Sequence, residues 1–456
     1  MGRYALHTIA AVLNADTTAL SNDPVIEHLC IDSRRIVHPS HSLFFALKTD
    51  RRNGHEFIPA CYEKGVRCFV VSEKQKTALF PHAHFILVDD TLSALQEIAA
   101  YHRQQFSIPV IGITGSNGKT MVKEWLYQLL SDDYSIARSP KSYNSQVGVP
   151  LSVWQLEPHH TLGIFEAGIS QKDEMKALQK MIQPTIGVFT NLGDAHSEGF
   201  ANDDEKFEEK AMLFEQAEVL VYSSEQTKGF TFSTKNRATI TWGKQPHDSL
   251  QLLHVKKEGQ ASHLTVQWKE EVLNAVLPFT DDASLHNILT CMSVCLYLGM
   301  DAHKLKSKLS ELKPVSLRLE LKKGKHHCTL INDSYSADVQ SFELALNFLK
   351  QQQQHEHRSI ILSDIAVSTE QEAATYTALA QLINSHAVYK VVSVGTVVQQ
   401  YFKKLLASSV HYSSFTAVDE LIAQLPSLQF QNEAILIKGA RSYGLEQLMP
   451  LLEQQI

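Results

Sequence analysis

The chain has 456 residues, a length typical of about three domains, which excludes a small single-module protein. Apolar residues make up 44% and charged residues 20%, close to the average of soluble globular proteins, which excludes global disorder. The formal net charge of −7 has the wrong sign for a protein that grips nucleic acid or an anionic membrane over a broad surface. An anionic ligand therefore requires a local site.

The sequence shows no sign of a membrane or secretory segment. No apolar run approaches the roughly 20 residues that span a bilayer, and Met1 to Ala11 lacks the basic start and apolar core of a signal peptide. The six cysteines are scattered without a CxxC pair, which favours buried free thiols over a disulfide framework or a zinc site. The expected compartment is the cytoplasm.

Residues 1–106 alternate short apolar runs with helical patterns, which predicts a small α/β unit. The predicted strands are 41–48, 67–72 and 85–89, and the predicted helices are 57–64 and 91–104. Pro109 breaks the pattern before a new buried strand, so the first domain boundary is placed near residue 107.

Residues 107–313 carry apolar strands separated by segments long enough for a crossover helix, the pattern of a parallel, doubly wound sheet. The predicted strands are 110–113, 162–166, 186–190 and 219–222, and a helix is predicted over 286–298. After Pro314 a third α/β region follows, with strands predicted at 329–332, 359–363, 390–394 and 434–438. The expected fold class is α/β with three domains, 1–106, 107–313 and 314–456, the second built around a phosphate-binding loop (P-loop).

The strongest motif is IGITGSNGKT at residues 111–120, which a helical pattern follows. A strand, a glycine-bearing loop ending in Gly-Lys-Thr, and a helix form a cradle whose backbone N–H groups face phosphate oxygens. Gly115 and Gly118 let the backbone turn close to the anion. Lys119 is expected to reach the β- and γ-phosphates of ATP, and Thr120 to offer its hydroxyl to Mg²⁺. A chance surface turn is the weaker alternative, because the three elements stand in the required order.

Acidic and polar residues follow the next two predicted strands of the sheet. Glu166 ends the strand 162–166, at the edge where open α/β sheets bind ligands, and Mg²⁺ takes one or two carboxylates together with phosphate oxygens. Asn191, His196 and Glu198 follow the strand 186–190. From the residues alone, His196 is either a metal ligand or a histidine that caps a loop.

The loop resembles the T-G-[ST]-x-G-K-T segment of the Mur ligases of peptidoglycan synthesis and of their relatives, the folylpolyglutamate synthetases. Further similar segments run from residue 32 to residue 444, so the resemblance covers nearly the whole chain. It implies a three-domain Mur ligase architecture with a Rossmann-like C-terminal domain. It also implies that ATP is bound by the loop residues Thr114, Gly115, Ser116, Asn117, Gly118, Lys119 and Thr120.

The resemblance further implies two Mg²⁺ ions. NLGDAHSEGF is similar to N-x-x-x-x-H-x-E-G-F, whose histidine binds the second metal, which implies that role for His196. Lys210, expected on the first turns of a helix that starts near residue 208, matches a lysine that CO₂ carbamylates so that it helps hold this metal. Lys206, one turn earlier, is the competitor, and an unmodified surface lysine remains the alternative.

Three residues outside the loop are implied to bind ATP. Asn287 belongs to an H-N pair expected to open a helix, and its amide suits the adenine edge because it offers both a donor and an acceptor. Arg318 and Asp333 resemble the residues that close onto ATP from the C-terminal domain. In that segment Asn332, Ser336 and Asp338 depart from the D-D-S-Y-N-A-N pattern of the family, which leaves Ser336 and Asp338 without an assigned role.

The substrate residues implied by the resemblance come from both ends of the chain. IDSRR, LFFALK and NGHEF resemble the UDP-binding domain, where Ser33 and Arg34 would meet the diphosphate. Asn144 lies in a loop similar to the substrate loop of the central domain. Lys438 and Arg441 match the K-G-[SA]-R segment that contacts substrate or phosphate.

Within the family, the segments DSYSAD, KGARS and NGHEF, with no D-N-P-R-like motif, favour the ligase that adds D-alanyl-D-alanine to UDP-N-acetylmuramoyl-tripeptide through an acyl phosphate. The alternatives are a sister Mur ligase, a folylpolyglutamate synthetase-like ligase and a non-catalytic P-loop ATPase. We expect a monomer without nucleic acid or membrane partners. Some members of this group continue into a fused alanine racemase, and the sequence leaves open whether this chain is the ligase part of such a fusion.

Overall fold

The computed structural model describes residues 2–15, 23–49, 52–193, 199–233, 237–259, 261–316, 318–335, 337–352, 354–365, 367 and 369–454. The chain forms two compact units, each discontinuous in sequence. The first unit comprises Met1–Gly115, Leu130–Thr190 and Gly199–Thr241, and the second comprises Ser116–Leu129, Asn191–Glu198 and Trp242–Ile456. The division into three domains stays a prediction.

The first unit begins with a four-stranded parallel sheet. Its strands, in spatial order, are His28–Cys30, Ser42–Phe45, Cys68–Val71 and His84–Leu87. The helices of this region are Leu6–Val12, Ile58–Glu63 and Thr91–Arg103, and two short hairpins pair Tyr4–Ala5 with Val25–Ile26 and Lys48–Thr49 with Arg52–Asn53. The two central strands are buried along their whole length, as expected for a sheet covered on both faces. The three predicted strands and two predicted helices are confirmed.

The other sheet of the first unit is parallel, and its strands are Ile136–Arg138, Leu162–Glu166, Val110–Thr114, Ile186–Phe189 and Val219–Ser223 in spatial order. Gly148–Val153, Met175–Ile182 and Asp203–Ala211 are helices of the same unit, and the helix Lys119–Leu130 follows the central strand after the phosphate loop. Glu166 pairs in register with Ile113, and Phe189 with Thr114. The predicted doubly wound sheet is confirmed. The central strand Val110–Thr114 and its two neighbours, Leu162–Glu166 and Ile186–Phe189, end at the same edge of the sheet.

The second unit contains an antiparallel meander that the sequence analysis did not predict. Its strands are Leu250–Glu258, Ala261–Trp268 and Glu271–Leu277, and the strand Ala238–Gly243 precedes them at the division between the units. Leu264 and Val266 are buried, whereas His263 before them is exposed and Thr265 between them is partly exposed, the alternation of a sheet with one solvated face. Lys269 adopts φ 55° in the turn that joins the last two strands. The sequence analysis predicted no element between the strand 219–222 and the helix 286–298.

A six-stranded sheet forms the rest of the second unit. Its spatial order is Glu320–Lys323, Thr329–Asp333, Glu433–Lys438, His357–Ser363, Lys390–Val394 and His411–Phe415. The first pair is antiparallel and all others are parallel. The helices of the second unit beyond the meander are Asp282–Tyr297, Ala302–Ser310, Val339–Lys350, Thr369–Ser385, Thr396–Leu405, Val418–Gln424 and Met449–Leu452. The four predicted strands of the C-terminal region are confirmed.

Two helices begin earlier than the sequence analysis predicted. The side chain of Asn202 accepts a hydrogen bond from the Glu205 N–H at 2.9 Å, so a helix starts at Asp203 and Lys210 lies in its last turn, not its first turns. The side chain of Asp281 accepts from the Ser284 N–H at 2.7 Å, so the helix that carries Asn287 starts at Asp282. In both cases an Asn or Asp residue several positions upstream of the predicted start is the N-cap, and it is the sequence signal for the true start of the helix.

In the described part of the chain, no helix combines the length and apolarity needed to cross a membrane. All six cysteines are free thiols, five of them buried and Cys30 partly so, which agrees with the prediction from their spacing.

Candidate active site

The segment that follows the strand Ile186–Phe189 supports the phosphate loop through hydrogen bonds. The N–H of Ser116 donates to the carbonyl of Asn191 at 2.9 Å, and the N–H of Asn117 donates to the Asn191 side-chain oxygen at 3.0 Å. Ser116 Oγ and the backbone of Gly193 exchange two hydrogen bonds of 2.9 Å each. Asn191 and Gly193 therefore fix the loop, a role that the sequence analysis did not assign to them.

Asn287 lies directly against the loop that was predicted to bind ATP. Gly118 has φ 84°, and a Cβ atom placed on it would come within 2.3 Å of Asn287 Oδ1. The Asn287 amide nitrogen also contacts the sulfur of Met121 at 3.7 Å, and the residue is buried. Lys119 folds back over the loop, where its Nζ donates to the Ser116 carbonyl at 2.8 Å. The structure thus brings together the predicted loop and the predicted adenine-binding amide.

Replacing Gly118 with alanine is expected to weaken ATP binding at least tenfold and to lower the melting temperature. The left-handed backbone costs an alanine about 1–2 kcal/mol, and the added methyl group would overlap the Asn287 amide. Gly299→Ala is the matched control, because Gly299 has the same φ of 84° with nothing within 4 Å. Titration calorimetry with ADP and thermal unfolding measure the two effects. Equal losses in both variants would show that only the backbone conformation matters.

The carboxyl edge of the parallel sheet in the first unit holds Glu166, one of the residues predicted to bind metal. Glu166 is fully buried at the end of its strand, and its N–H donates to Ser139 Oγ at 3.2 Å. Thr114 Oγ1 donates to the Ala167 carbonyl at 2.8 Å, which ties the start of the phosphate loop to the residue after Glu166. This edge therefore carries one deeply placed carboxylate next to the strand that leads into the loop.

Lys210 is buried rather than on the surface. It is 1% exposed, and its Nζ contacts the carbonyl of Gly115, the first glycine of the loop, at 3.5 Å. Lys206 is also fully buried. Both lysines are therefore inside the protein, so neither is the surface lysine of the alternative.

The donor types of the predicted metal ligands suit a magnesium ion that shares its ligands with a nucleotide. Mg²⁺ prefers oxygen donors and is usually held by one or two carboxylates together with phosphate oxygens. Glu166 offers a carboxylate and Thr120 a hydroxyl, whereas His196 lies outside the described residues. Over the described ranges no group of three or more His, Cys, Asp or Glu side chains could hold a metal by itself. The protein residues therefore fit a metal that binds together with ATP.

The predicted residues of the C-terminal region converge at the carboxyl edge of the six-stranded sheet. Lys438 Nζ and Asp333 Oδ2 form an ion pair of 2.7 Å between strands that are in register, and both side chains are buried. The guanidinium groups of Arg318 and Arg441 lie over the ring of Tyr335, with their central carbons 4.3 Å and 5.5 Å from its centroid. Four residues predicted from distant parts of the sequence are thus neighbours.

Arg318 also lines a cavity of about 140 Å³ in the second unit. Met121 and Trp125 of the helix after the phosphate loop form one side of this cavity, and Asp281 and Phe348 form other parts of its wall. Arg318 therefore lies near the helix that follows the phosphate loop. The role of Arg318 in nucleotide binding stays a prediction.

The predicted substrate residues of the first unit lie on connected segments. Arg34 binds Asp32 through two hydrogen bonds of 2.9 Å and 2.8 Å, and this guanidinium holds the pKa of the Asp32 carboxyl well below its usual range. The neighbouring Arg35 donates to the Tyr143 hydroxyl at 2.9 Å. The carbonyl of Asn144 accepts the Gly168 N–H at 2.8 Å, two residues beyond Glu166. The side chain of Ser33 has no such link to Asn144 among the described contacts.

Comparison with known proteins identifies relatives along nearly the whole chain. The family described as the Mur ligase middle domain matches residues 113–295. The UDP-N-acetylmuramoyl-tripeptide–D-alanyl-D-alanine ligase of Bacillus subtilis is 26% identical over 93% of this chain and 93% of its own length. The ligase of the same description from Synechocystis is 30% identical, covering 73% of this chain and 71% of the relative.

A solved structure shows the same fold. The MurF ligase of Thermotoga maritima, crystallised in complex with ADP, superposes with a TM-score of 0.76 at 19% identity, covering 93% of this chain and 96% of that chain.

Proposed function

Because the chain belongs to the Mur ligase family and is an ATP-dependent ligase, we propose that it joins D-alanyl-D-alanine to UDP-N-acetylmuramoyl-tripeptide in peptidoglycan precursor synthesis. The observation that carries the choice of substrates is the match to the ligase of that description over 93% of this chain. The braced phosphate loop and its contact with Asn287 support the use of ATP.

In the first half-reaction, the terminal carboxylate of the tripeptide attacks the γ-phosphorus of ATP, which releases ADP and forms an acyl phosphate. Lys119 and the N–H groups of the loop hold the phosphates and offset the charge that develops during transfer. Asn287 meets the adenine edge, and Arg318 and Asp333 bind ATP from the C-terminal sheet. Thr120, Glu166 and His196 are the residues that would hold Mg²⁺, which would supply further positive charge at the phosphate oxygens.

In the second half-reaction, the amine of D-alanyl-D-alanine attacks the acyl carbon, and the tetrahedral intermediate collapses to the amide and inorganic phosphate. Its negative oxygen needs a positive partner, and Lys438 and Arg441 are the cations that we assign to this end of the site. Ser33 and Arg34 bind the diphosphate of the UDP group, and Asn144 contacts the substrate near Glu166.

We assign a carbamate to Lys210. Addition of CO₂ to its amine replaces a cation with an anion and gives the site a second anionic oxygen group in addition to the Glu166 carboxylate. The contact of Lys210 with Gly115 supports this choice over Lys206, because the carbamate would lie next to the loop that holds the phosphates. We further propose that the enzyme works in the cytoplasm as a monomer, where ATP and the nucleotide precursor are available.

Phosphate release from ATP tests this proposal. We expect steady release only when UDP-N-acetylmuramoyl-tripeptide and D-alanyl-D-alanine are both present, because the amine is needed to turn over the acyl phosphate. Mass spectrometry of the product should show the pentapeptide precursor.

The same assay separates the alternatives. Release that needs neither substrate would indicate a P-loop ATPase, and release with the dipeptide precursor and a single amino acid would indicate a sister ligase. Release with a folate and glutamate would indicate a folylpolyglutamate synthetase. Any of these results would replace the proposed function.

A further inference from the structure

The ring of Tyr335 contacts two arginines to which we assign different roles in the proposed reaction. Its ring lies 4.3 Å from the central guanidinium carbon of Arg318 and 5.5 Å from that of Arg441. A guanidinium over an aromatic face is attracted by the ring quadrupole. Arg318 belongs to the proposed ATP site and Arg441 to the proposed acyl end, so one ring contacts a residue of each.

The loop that carries Arg441 is fixed at several points of the C-terminal sheet. The Ala440 N–H donates to Ser363 Oγ at 2.9 Å, and the Tyr443 hydroxyl donates to Asp364 Oδ2 at 2.8 Å. Burial and the hydrogen bond to Asp364 raise the pKa of Tyr443 to about 12, so the hydroxyl stays a donor at neutral pH. The backbone on both sides of Arg441 is therefore anchored, and its guanidinium carbon lies 5.5 Å from the centroid of the Tyr335 ring.

Asp364 also joins this loop to the neighbouring helix. Its Oδ1 accepts the Val398 N–H at 2.7 Å in the first turn of the helix Thr396–Leu405. The carboxylate is buried, so both of its oxygens are used within the fold rather than by solvent. Arg441 is thus held by a rigid part of the sheet edge.

Arg318 lies in a short turn rather than in a helix or strand. Its N–H donates to the Val315 carbonyl at 3.2 Å, and the next residue, Leu319, has φ 47°. The turn orients the Arg318 side chain toward Tyr335. Tyr335 lies two positions after Asp333, which forms the buried ion pair with Lys438. The ring is therefore attached to the strand end that we assign to ATP.

We propose that Tyr335 is a positioning residue that couples the two ends of the site, so that its ring holds Arg318 for ATP and Arg441 for the acyl group at once. Two like charges on one ring repel each other, and an anion bound by either arginine reduces that repulsion. Phosphate binding at Arg318 consequently favours the arrangement in which Arg441 is also in place. This coupling rests on the proposed function for the roles of the two arginines.

Calorimetric titration with Mg²⁺ and the non-hydrolysable ATP analogue AMP-PNP tests the coupling. We expect Tyr335→Leu to weaken analogue binding about two- to fivefold, which is the fold-change that a cation–π contact at an exposed site supports. Tyr335→Phe keeps the ring face and should bind within twofold of the unmodified enzyme. This rescue by phenylalanine distinguishes the ring from the hydroxyl.

A cross-effect is the sharper readout. Arg441 is exposed and lies outside the proposed ATP site. In protein that retains Tyr335 (the Tyr335 background), we expect Arg441→Ala to weaken AMP-PNP binding about two- to fivefold. In protein that carries Tyr335→Leu, we expect Arg441→Ala to have no effect on AMP-PNP binding. No effect in the Tyr335 background, or an equal effect in both, would overturn the proposal. The first of these outcomes is decisive even if Tyr335→Leu does not fold.

The titration also separates this inference from the proposed function. AMP-PNP binding requires neither the tripeptide nucleotide nor an amine acceptor, so a different acceptor in the phosphate-release assay would change the function and leave the cross-effect intact. Conversely, an enzyme with the expected products and no cross-effect would keep its function and lose Tyr335 as a positioning residue.

Discussion

Lys119→Ala is expected to lower the rate of phosphate release by at least about 10²–10³-fold, the range seen when one preorganised charge-stabilising donor is removed. Lys119 is the cation of the Gly-Lys-Thr segment, and its Nζ lies 2.8 Å from the Ser116 carbonyl, over the loop that holds the phosphates. A methyl group cannot neutralise charge that develops on the γ-phosphoryl group during transfer. The effect should appear mainly in kcat.

The fold of this variant should be unchanged, because the loop keeps its hydrogen bonds to Asn191 and Gly193. Lys256→Ala is the control, since Lys256 forms an exposed ion pair with Glu258 in the meander, of a kind that contributes little to stability. Circular dichroism spectra of both variants should match that of the unmodified protein. Retained turnover in Lys119→Ala would remove the phosphate-loop assignment.

The sheets could be predicted because they depend on local patterns. The strands Val110–Thr114 and Leu162–Glu166 are short apolar runs bounded by glycine or polar residues, and a strand buried on both faces needs no more than that. The phosphate loop is also local, since the glycines and the lysine lie within six consecutive residues. The meander was missed because no element was predicted between the strand 219–222 and the helix 286–298.

The contacts that complete the site could not be predicted, because they join residues far apart in sequence. The support of the loop by Asn191 depends on the pairing of the strands Val110–Thr114 and Ile186–Phe189 in register. The ring of Tyr335 meets Arg441 because the strands Thr329–Asp333 and Glu433–Lys438 are neighbours in the sheet. Spacing along the chain carries no information about either contact.

The burial of Lys210 shows how a helix boundary changes a functional assignment. Lys210 was predicted on the first turns of a helix, and an unmodified surface lysine was the alternative interpretation. The Asn202 cap moves the helix start to Asp203, which puts Lys210 in the last turn and directs its side chain to the Gly115 carbonyl. Lys206 is one turn earlier on the same helix and is also buried, so the cap accounts for the helix start and not for the choice between the two lysines.

Lys210→Met is expected to lower turnover at least about 10²-fold and to abolish a carbamate signal. If the carbamate helps hold the metal charge beside the phosphates, its loss removes one charge-stabilising group from the site. Protein equilibrated with ¹³C-bicarbonate should show a carbamate carbon resonance by NMR, and the 1% exposure of Lys210 shields this group from bulk water. The resonance provides a readout that does not depend on activity.

Lys206→Met is the matched control for this prediction. Lys206 is one turn earlier on the same helix and is fully buried, and methionine preserves most of the side-chain volume at either position. We expect Lys206→Met to keep the carbamate resonance and most of the turnover, whereas Lys210→Met loses both. Loss of the resonance only in Lys206→Met would move the carbamate to Lys206. A chain that is active without any carbamate resonance would show that Lys210 serves the phosphate loop as an unmodified amine through its contact with Gly115.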